Sequence, residues 1–179
     1  MRKLLYAFGL TSALVFALAA HAAAPNFAGT WTLDKSKSQG LSQRVQNAES
    51  VSWIITQTDK EITVDEKITG GGGPGGQGGG PGGGGRMMAP MGPRTYNLDG
   101  SETTGDTGRG KFARKATLSS DGKTLELVTK STFQTQDGSE VTVTSSDKLS
   151  LSADGKVLTV VRHSESPRGA QDSTLVFNK

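Results

Sequence analysis

Four Asp-Gly pairs punctuate the second half of this chain: Asp99-Gly100, Asp121-Gly122, Asp137-Gly138 and Asp154-Gly155. Each lies between two segments in which apolar or β-branched residues recur at every second position. Asp-Gly suits the positive φ angles of tight hairpin turns, whose backbone twist matches that of the strands they join. Pro167-Arg168-Gly169 reads as a further turn. Successive hairpins place neighbours in sequence beside one another in space. The punctuation therefore predicts an all-β, antiparallel, up-and-down meander of roughly eight to ten strands. A meander of that length closes readily into a barrel, which removes exposed edges. An open sheet or a sandwich is the alternative.

The strand faces follow from the alternation. Val51, Trp53 and Ile55 share one face, and Ile62, Val64 and Ile68 another. Such period-two runs of β-branched and aromatic residues mark half-buried strands. Further strands are expected at Arg94 to Leu98 and Ser101 to Thr104. Phe112, Arg114, Ala116 and Leu118 share a face, as do Leu125, Leu127, Thr129, Ser131 and Phe133. Val141 and Val143 begin another strand and Leu149 and Leu151 end it. Val157 to Arg162 and Thr174 to Phe177 complete the set. Thr129 and Ser131 leave open whether the interior is wet or whether these small polar residues lie outside. Only Lys35 to Ala48 is a helix candidate, and Gly40 interrupts it.

Two segments stand apart from this β domain. Arg2 and Lys3 precede an apolar run from Leu4 to Ala20, and Ala20-His21-Ala22 places small residues at the −3 and −1 positions of a signal-peptidase site. This predicts a cleavable signal peptide over 1–22, with export to a bacterial periplasm or beyond, rather than a membrane anchor. No integral span is expected after cleavage, and without a cysteine there is no lipid attachment of the lipoprotein kind. Gly70 to Gly85 holds 13 glycines in 16 residues. With no side chains to bury and large backbone entropy to lose, the Gly/Pro-rich stretch 70–93 is expected to be a disordered loop. It interrupts a single domain over 23–179. The glycines lack the strict every-third period of collagen, and no Gly-Lys-Ser/Thr follows to make a phosphate loop.

Composition removes several chemistries. The absence of cysteine excludes disulfides, thiol nucleophiles and thiolate metal sites. The chain has 20 basic and 17 acidic residues. Loss of Arg2 and Lys3 with the signal leaves 18 against 17, so the net charge falls from +3 to +1. That near-balance, with only Arg86 and Arg94 at the glycine tract, speaks against a nucleic-acid partner. No nucleophile elbow, HExxH or kinase-like set is present. No catalytic residue and no cofactor is assigned, and the chain is not expected to be an enzyme. His163 and Glu165 lie two apart on one strand face and read as a surface pair.

Two arginines stand out as ligand-binding candidates. Arg114 shares the face of Ala116 and Leu118, and Arg162 that of Leu158 and Val160. If those faces point inward, each guanidinium needs an anionic partner, either a ligand carboxylate or phosphate or a carboxylate of the protein itself; the alternative for Arg162 is that it faces solvent near the end of its strand. Met87, Met88 and Met91 are a weak candidate set for Cu(I), which favours thioether sulfur, and read equally as packing residues.

Phe27-Ala28-Gly29-Thr30-Trp31 resembles the Gly-x-Trp signature, here Gly29 and Trp31, that opens the calycins, the lipocalins and fatty-acid-binding proteins. The stretch Leu149 to Arg162 resembles small exported bacterial proteins of lipocalin-like type. The resemblance implies a closed barrel with Trp31 at its closed end, an irregular or helical insertion that Lys35 to Ala48 would match, and a basic residue against the Trp, for which Lys179 is placed. The Arg-x-Tyr pair with which fatty-acid-binding proteins hold carboxylates is absent, since Arg162 is followed by His163 and Ser164. The function it implies is binding of a small, partly apolar ligand that can carry an anionic group. The alternative is a structural or interaction protein of the envelope with a filled barrel.

Overall fold

The computed structural model describes residues 25–70, 92–107, 110–135 and 138–179. The predicted signal segment, nearly all of the Gly/Pro-rich stretch, Met87, Met88, Met91 and Asp137 lie outside the described residues. Within these residues alternation becomes ten strands. They are β1 (Gly29–Leu33), β2 (Ala48–Gln57), β3 (Glu61–Gly70), β4 (Arg94–Asn97), β5 (Thr103–Asp106), β6 (Gly110–Leu118), β7 (Thr124–Gln134), β8 (Glu140–Leu151), β9 (Val157–Ser166) and β10 (Gly169–Asn178). All pair antiparallel in one sheet of order β4-β3-β2-β1-β10-β9-β8-β7-β6-β5. The sheet curls into a nearly closed barrel.

The pairing is sequential with two exceptions. The first strand closes on the last, through Thr32↔Asn178 and Leu33↔Phe177. The Asp99-Gly100 turn does not make a hairpin: β4 and β5 are the two ends of the sheet order. The turn is held instead toward β3, with the Leu98 N–H donating to the Lys60 carbonyl at 2.7 Å. Across the resulting gap the Tyr96 hydroxyl of β4 meets Thr129 Oγ1 of β7 at 2.7 Å, both buried.

The turns themselves differ from the tight positive-φ pairs expected. Among the described residues only glycines have positive φ, Gly122 at 70° and Gly155 at 68°. The preceding aspartates therefore cannot occupy the first position of a type I′ turn. Ser119-Ser-Asp-Gly-Lys123 and Ser152-Ala-Asp-Gly-Lys156 form the same longer loop twice. In each, the Gly N–H donates to the Ser carbonyl at 2.9 Å. The Ser hydroxyl donates to the Asp carboxylate at 2.6 Å, and the Lys N–H donates to the same carboxylate oxygen. The Asp side chain replaces missing backbone partners, which is why Asp suits the site.

Those bonds carry a pH consequence. The hydroxyls of Ser119, Ser152 and Ser101, followed by backbone N–H groups, hold Asp121, Asp154 and Asp99 below the usual carboxylate range. A depressed folded pKa contributes stability that is complete above the unfolded value, about pH 4. It is lost as pH falls through the lower folded value. Thermal unfolding followed by circular dichroism is expected to show Tm dropping below about pH 4. Asp121→Asn with Asp154→Asn, which keep an acceptor oxygen, should make that drop shallower; an unchanged acid limb would remove these turns as its source.

The helix candidate shrinks to α1 (Gln43–Asn47), begun by Ser42, whose hydroxyl accepts from the Val45 N–H at 3.5 Å. The segment before it is laid against β10 rather than coiled: Gln39 bridges Thr174, and the Val176 N–H donates to Ser38 Oγ at 2.9 Å. Gly40, at φ 67°, is where a side chain would run into the Asp172 carbonyl. This close approach, not a weak helix, accounts for the glycine.

The core fills one end of the barrel. Phe27, Trp31, Leu125, Leu149, Leu158 and Phe177 are essentially inaccessible. The Trp31 indole N–H donates to the Phe27 carbonyl at 2.8 Å. Lys179 Nζ lies 5.1 Å from the Trp31 ring centroid, the place the resemblance implied for a basic residue. Gly29 makes room for it, since a Cβ there would stand 2.9 Å from Lys179 Cε.

Candidate functional site

One register step along the strands, the interior changes from apolar to polar. On β6, buried Ala116 gives way to Arg114, and on β7 Leu127 gives way to Thr129 and Ser131. On β8 Leu149 is followed inward by Asp147, and on β9 Val160 by Arg162. Register carries the same layer to the other wall, where Glu66 faces Trp53 and Arg94 faces Val64. Thr129 and Ser131, 5% and 4% exposed, are interior residues, which answers the question their alternation left open.

The two candidate arginines both point into this layer, in different states. Arg162 is the register partner of Asp147. Its Nε donates to Asp147 Oδ1 at 2.6 Å and its Nη2 to Oδ2 at 3.0 Å, a bidentate pair. The Asp147 side chain is 3% exposed and that of Arg162 24%. Burial alone would lower the Arg162 pKa, but the charge and hydrogen bonds of Asp147, helped by Glu66, outweigh it and raise it.

Arg114 has no such partner. Its guanidinium lies 4.0 Å from the Phe112 ring centroid, and Phe112 in turn covers the side-chain position of Gly105 on β5. Burial lowers its pKa, Tyr96 opposes this, and the charge of Arg94 lowers it further. Three buried side-chain nitrogen or oxygen atoms among the described residues have no hydrogen-bond partner: Arg114 Nε, Thr103 Oγ1 and Trp53 Nε1. Thr103 is the register partner of Arg114. Trp53 has Arg162 at 5.5 Å and Arg94 at 5.8 Å from its ring. The orphaned donors thus belong to one layer of arginines.

Sequence reasoning put Arg114 and Arg162 on the faces of apolar neighbours, left open whether those faces point inward, and missed Asp147, Tyr96, Arg94 and Glu66. A signal existed for Asp147, two and four residues before Leu149 and Leu151 on the same face. The Met87, Met88 and Met91 set lies outside the described residues. Among the described residues no group of three or more His, Asp or Glu side chains could hold a metal. His163 and Glu165 lie on the outer wall, with Asp172 across the strand pair. His163 Nδ1 is 2.6 Å from Asp172 and Nε2 3.2 Å from Glu165, and these carboxylates raise the His163 pKa.

Two surface clefts accompany the barrel. One, about 520 Å³, lies by the β1–β2 wall and the C-terminal Lys179; the other, about 450 Å³, runs over β5, β6 and β7 near Gly105 and Phe112.

No family model matches the chain, and no curated protein matches it. Among solved structures, the crystal structure of zebrafish ileal bile acid-binding protein complexed with cholic acid is similar at 12% identity and a TM-score of 0.46, over 86% of this chain and 98% of that one. The fold assignment rests on the strand order and register themselves.

Proposed function

We propose that this chain is an exported, non-enzymatic, lipocalin-like module of the bacterial envelope that holds a small, partly apolar anion, its charged group seated in the arginine layer. The observation that supports it is Arg114: a residue 8% exposed as a whole, with no carboxylate partner and a buried, unpaired Nε. A buried cation without an anion is costly, and buried donors are normally satisfied. A ligand carboxylate, sulfonate or sulfate would meet Arg114 and reach the Tyr96 and Thr103 hydroxyls. The inward cations are arginines, which do not release protons near neutral pH and so suit holding a charge. The signal-like segment 1–22 supports export.

The test uses two probes of similar body and different charge. 1-Anilinonaphthalene-8-sulfonate is an anion and N-phenyl-1-naphthylamine is neutral. Both should bind the mature protein and quench Trp53 in a Trp31→Phe background. Arg114→Gln is expected to weaken the sulfonate by about tenfold or more and to leave the neutral probe unchanged. A second reading, a filled barrel acting through its outer wall, is favoured by the position of both clefts outside the interior. Failure of both probes to bind would select it.

A further inference from the structure

We propose that Asp147 sets the charge of the ligand this barrel accepts: by holding Arg162 in an internal ion pair, it leaves the polar layer one net positive charge and suits it to a monoanion. This rests on the binding reading above. The inward-facing ionisable groups of the layer are Arg94, Arg114 and Arg162 against Glu66 and Asp147. Three cations and two anions leave one unmatched charge. Asp147 is the anion committed to a single cation, since both its oxygens accept from Arg162. It therefore occupies the guanidinium edge that a second ligand charge would need. The free donors sit elsewhere, at Arg114 Nε and Thr103 Oγ1. Planar guanidinium meets carboxylate, sulfate and phosphate oxygens with the same fork. Headgroup shape therefore discriminates little between a sulfate ester and a phosphate monoester, and the charge count decides.

Removing the Asp147 charge should accordingly convert the site. Its partner tolerates the change: the Arg162 side chain is 24% exposed and reaches water once released. The ligands are dodecyl sulfate, a monoanion, and dodecyl phosphate, whose second proton has a pKa of about 6, so that at about pH 8.5 it is a dianion. Affinities are read by calorimetry below the micellar concentration. The wild-type protein is expected to bind the sulfate at least as tightly as the phosphate. Asp147→Asn should shift the ratio toward the phosphate by about tenfold or more. Asp147→Asn with Arg162→Gln restores the original count and should return the original order. Should Asp147→Asn fail to fold, Asp147→Ser, smaller and equally uncharged, makes the same test.

A ratio unchanged by loss of the Asp147 charge overturns the inference while leaving the binding reading in place. A ratio that stays shifted in the double variant also overturns it, because shape rather than charge would then be responsible. A wild-type protein that binds neither alkyl anion but takes up the neutral naphthylamine overturns the anionic site and this inference together. Binding of none of the probes overturns the binding reading as well.

Discussion

Arg162→Met is expected to destabilise the fold by about 3–5 kcal/mol, and the double variant Arg162→Met/Asp147→Leu to recover most of that loss. The asymmetry comes from burial. Asp147 is 2% exposed, with Arg162 taking both its oxygens. Removing the arginine leaves a carboxylate inside the barrel with no route to water. Removing both charges leaves apolar side chains beside Leu127 and Val160, an environment that accepts them. Replacing a whole buried pair with well-packed apolar residues is often neutral or better, whereas breaking one is costly. Urea denaturation reads the difference directly: the single variant's midpoint should fall by about 2 M, given a typical slope for a domain of this size. The double variant's midpoint should lie near wild type. Equal losses in the two variants would mean that the arginine stem, rather than the charge pair, supports this wall.

That pair also marks where sequence reasoning stops. Alternation put Arg114 and Arg162 on the same faces as the apolar residues of β6 and β9, because strand parity is a local property. Which carboxylate meets which arginine depends on the register of β8 against β9, and register is set by loop length and packing. The Ser152-to-Val157 loop aligns Asp147 with Arg162. Had the register shifted by two residues, the same parity argument would have stood and the partner would have changed. The β4–β5 edge shows the same limit from the other side. Asp99-Gly100 has the composition of a hairpin turn. Its strands are four residues each, though, and β4 is claimed by β3 through Ile62↔Tyr96 and Thr63↔Thr95. Closure of the sheet by β1 and β10 is a contact between the ends of the chain, which no local pattern encodes. The resemblance around Gly29 and Trp31 is what implied the closed barrel and its plug.

Trp31→Ala is expected to cost about 3–5 kcal/mol and to open the barrel at its β1–β10 seam before the rest unfolds. Trp31 is fully buried, and its indole N–H is the bond that draws the Phe27 carbonyl over the closed end. Phe27, also fully buried, is fixed from the other side by the Gln57 side chain, which accepts from the Phe27 N–H at 2.9 Å. The seam is otherwise thin. It has two register pairs, Thr32↔Asn178 and Leu33↔Phe177, where β9 and β10 share ten. Lys179 adds a cation over the Trp31 ring, and Gly29 admits it. Removing the indole therefore takes away the plug, the Lys179 seat and the anchor of β1 at once, while the longer ladders from β6 to β10 keep their own pairing. Amide exchange by mass spectrometry should show the β1 segment losing protection by several orders of magnitude, with β7 and β8 following only the global loss. Trp31→Phe keeps a ring against Lys179 and forfeits the Phe27 bond, which should cost about 1 kcal/mol for the bond plus the smaller ring's lost packing. Uniform loss of protection in Trp31→Ala across β1, β7 and β8 would show that the barrel opens as one unit, and that the closed end is not held by this side chain in particular.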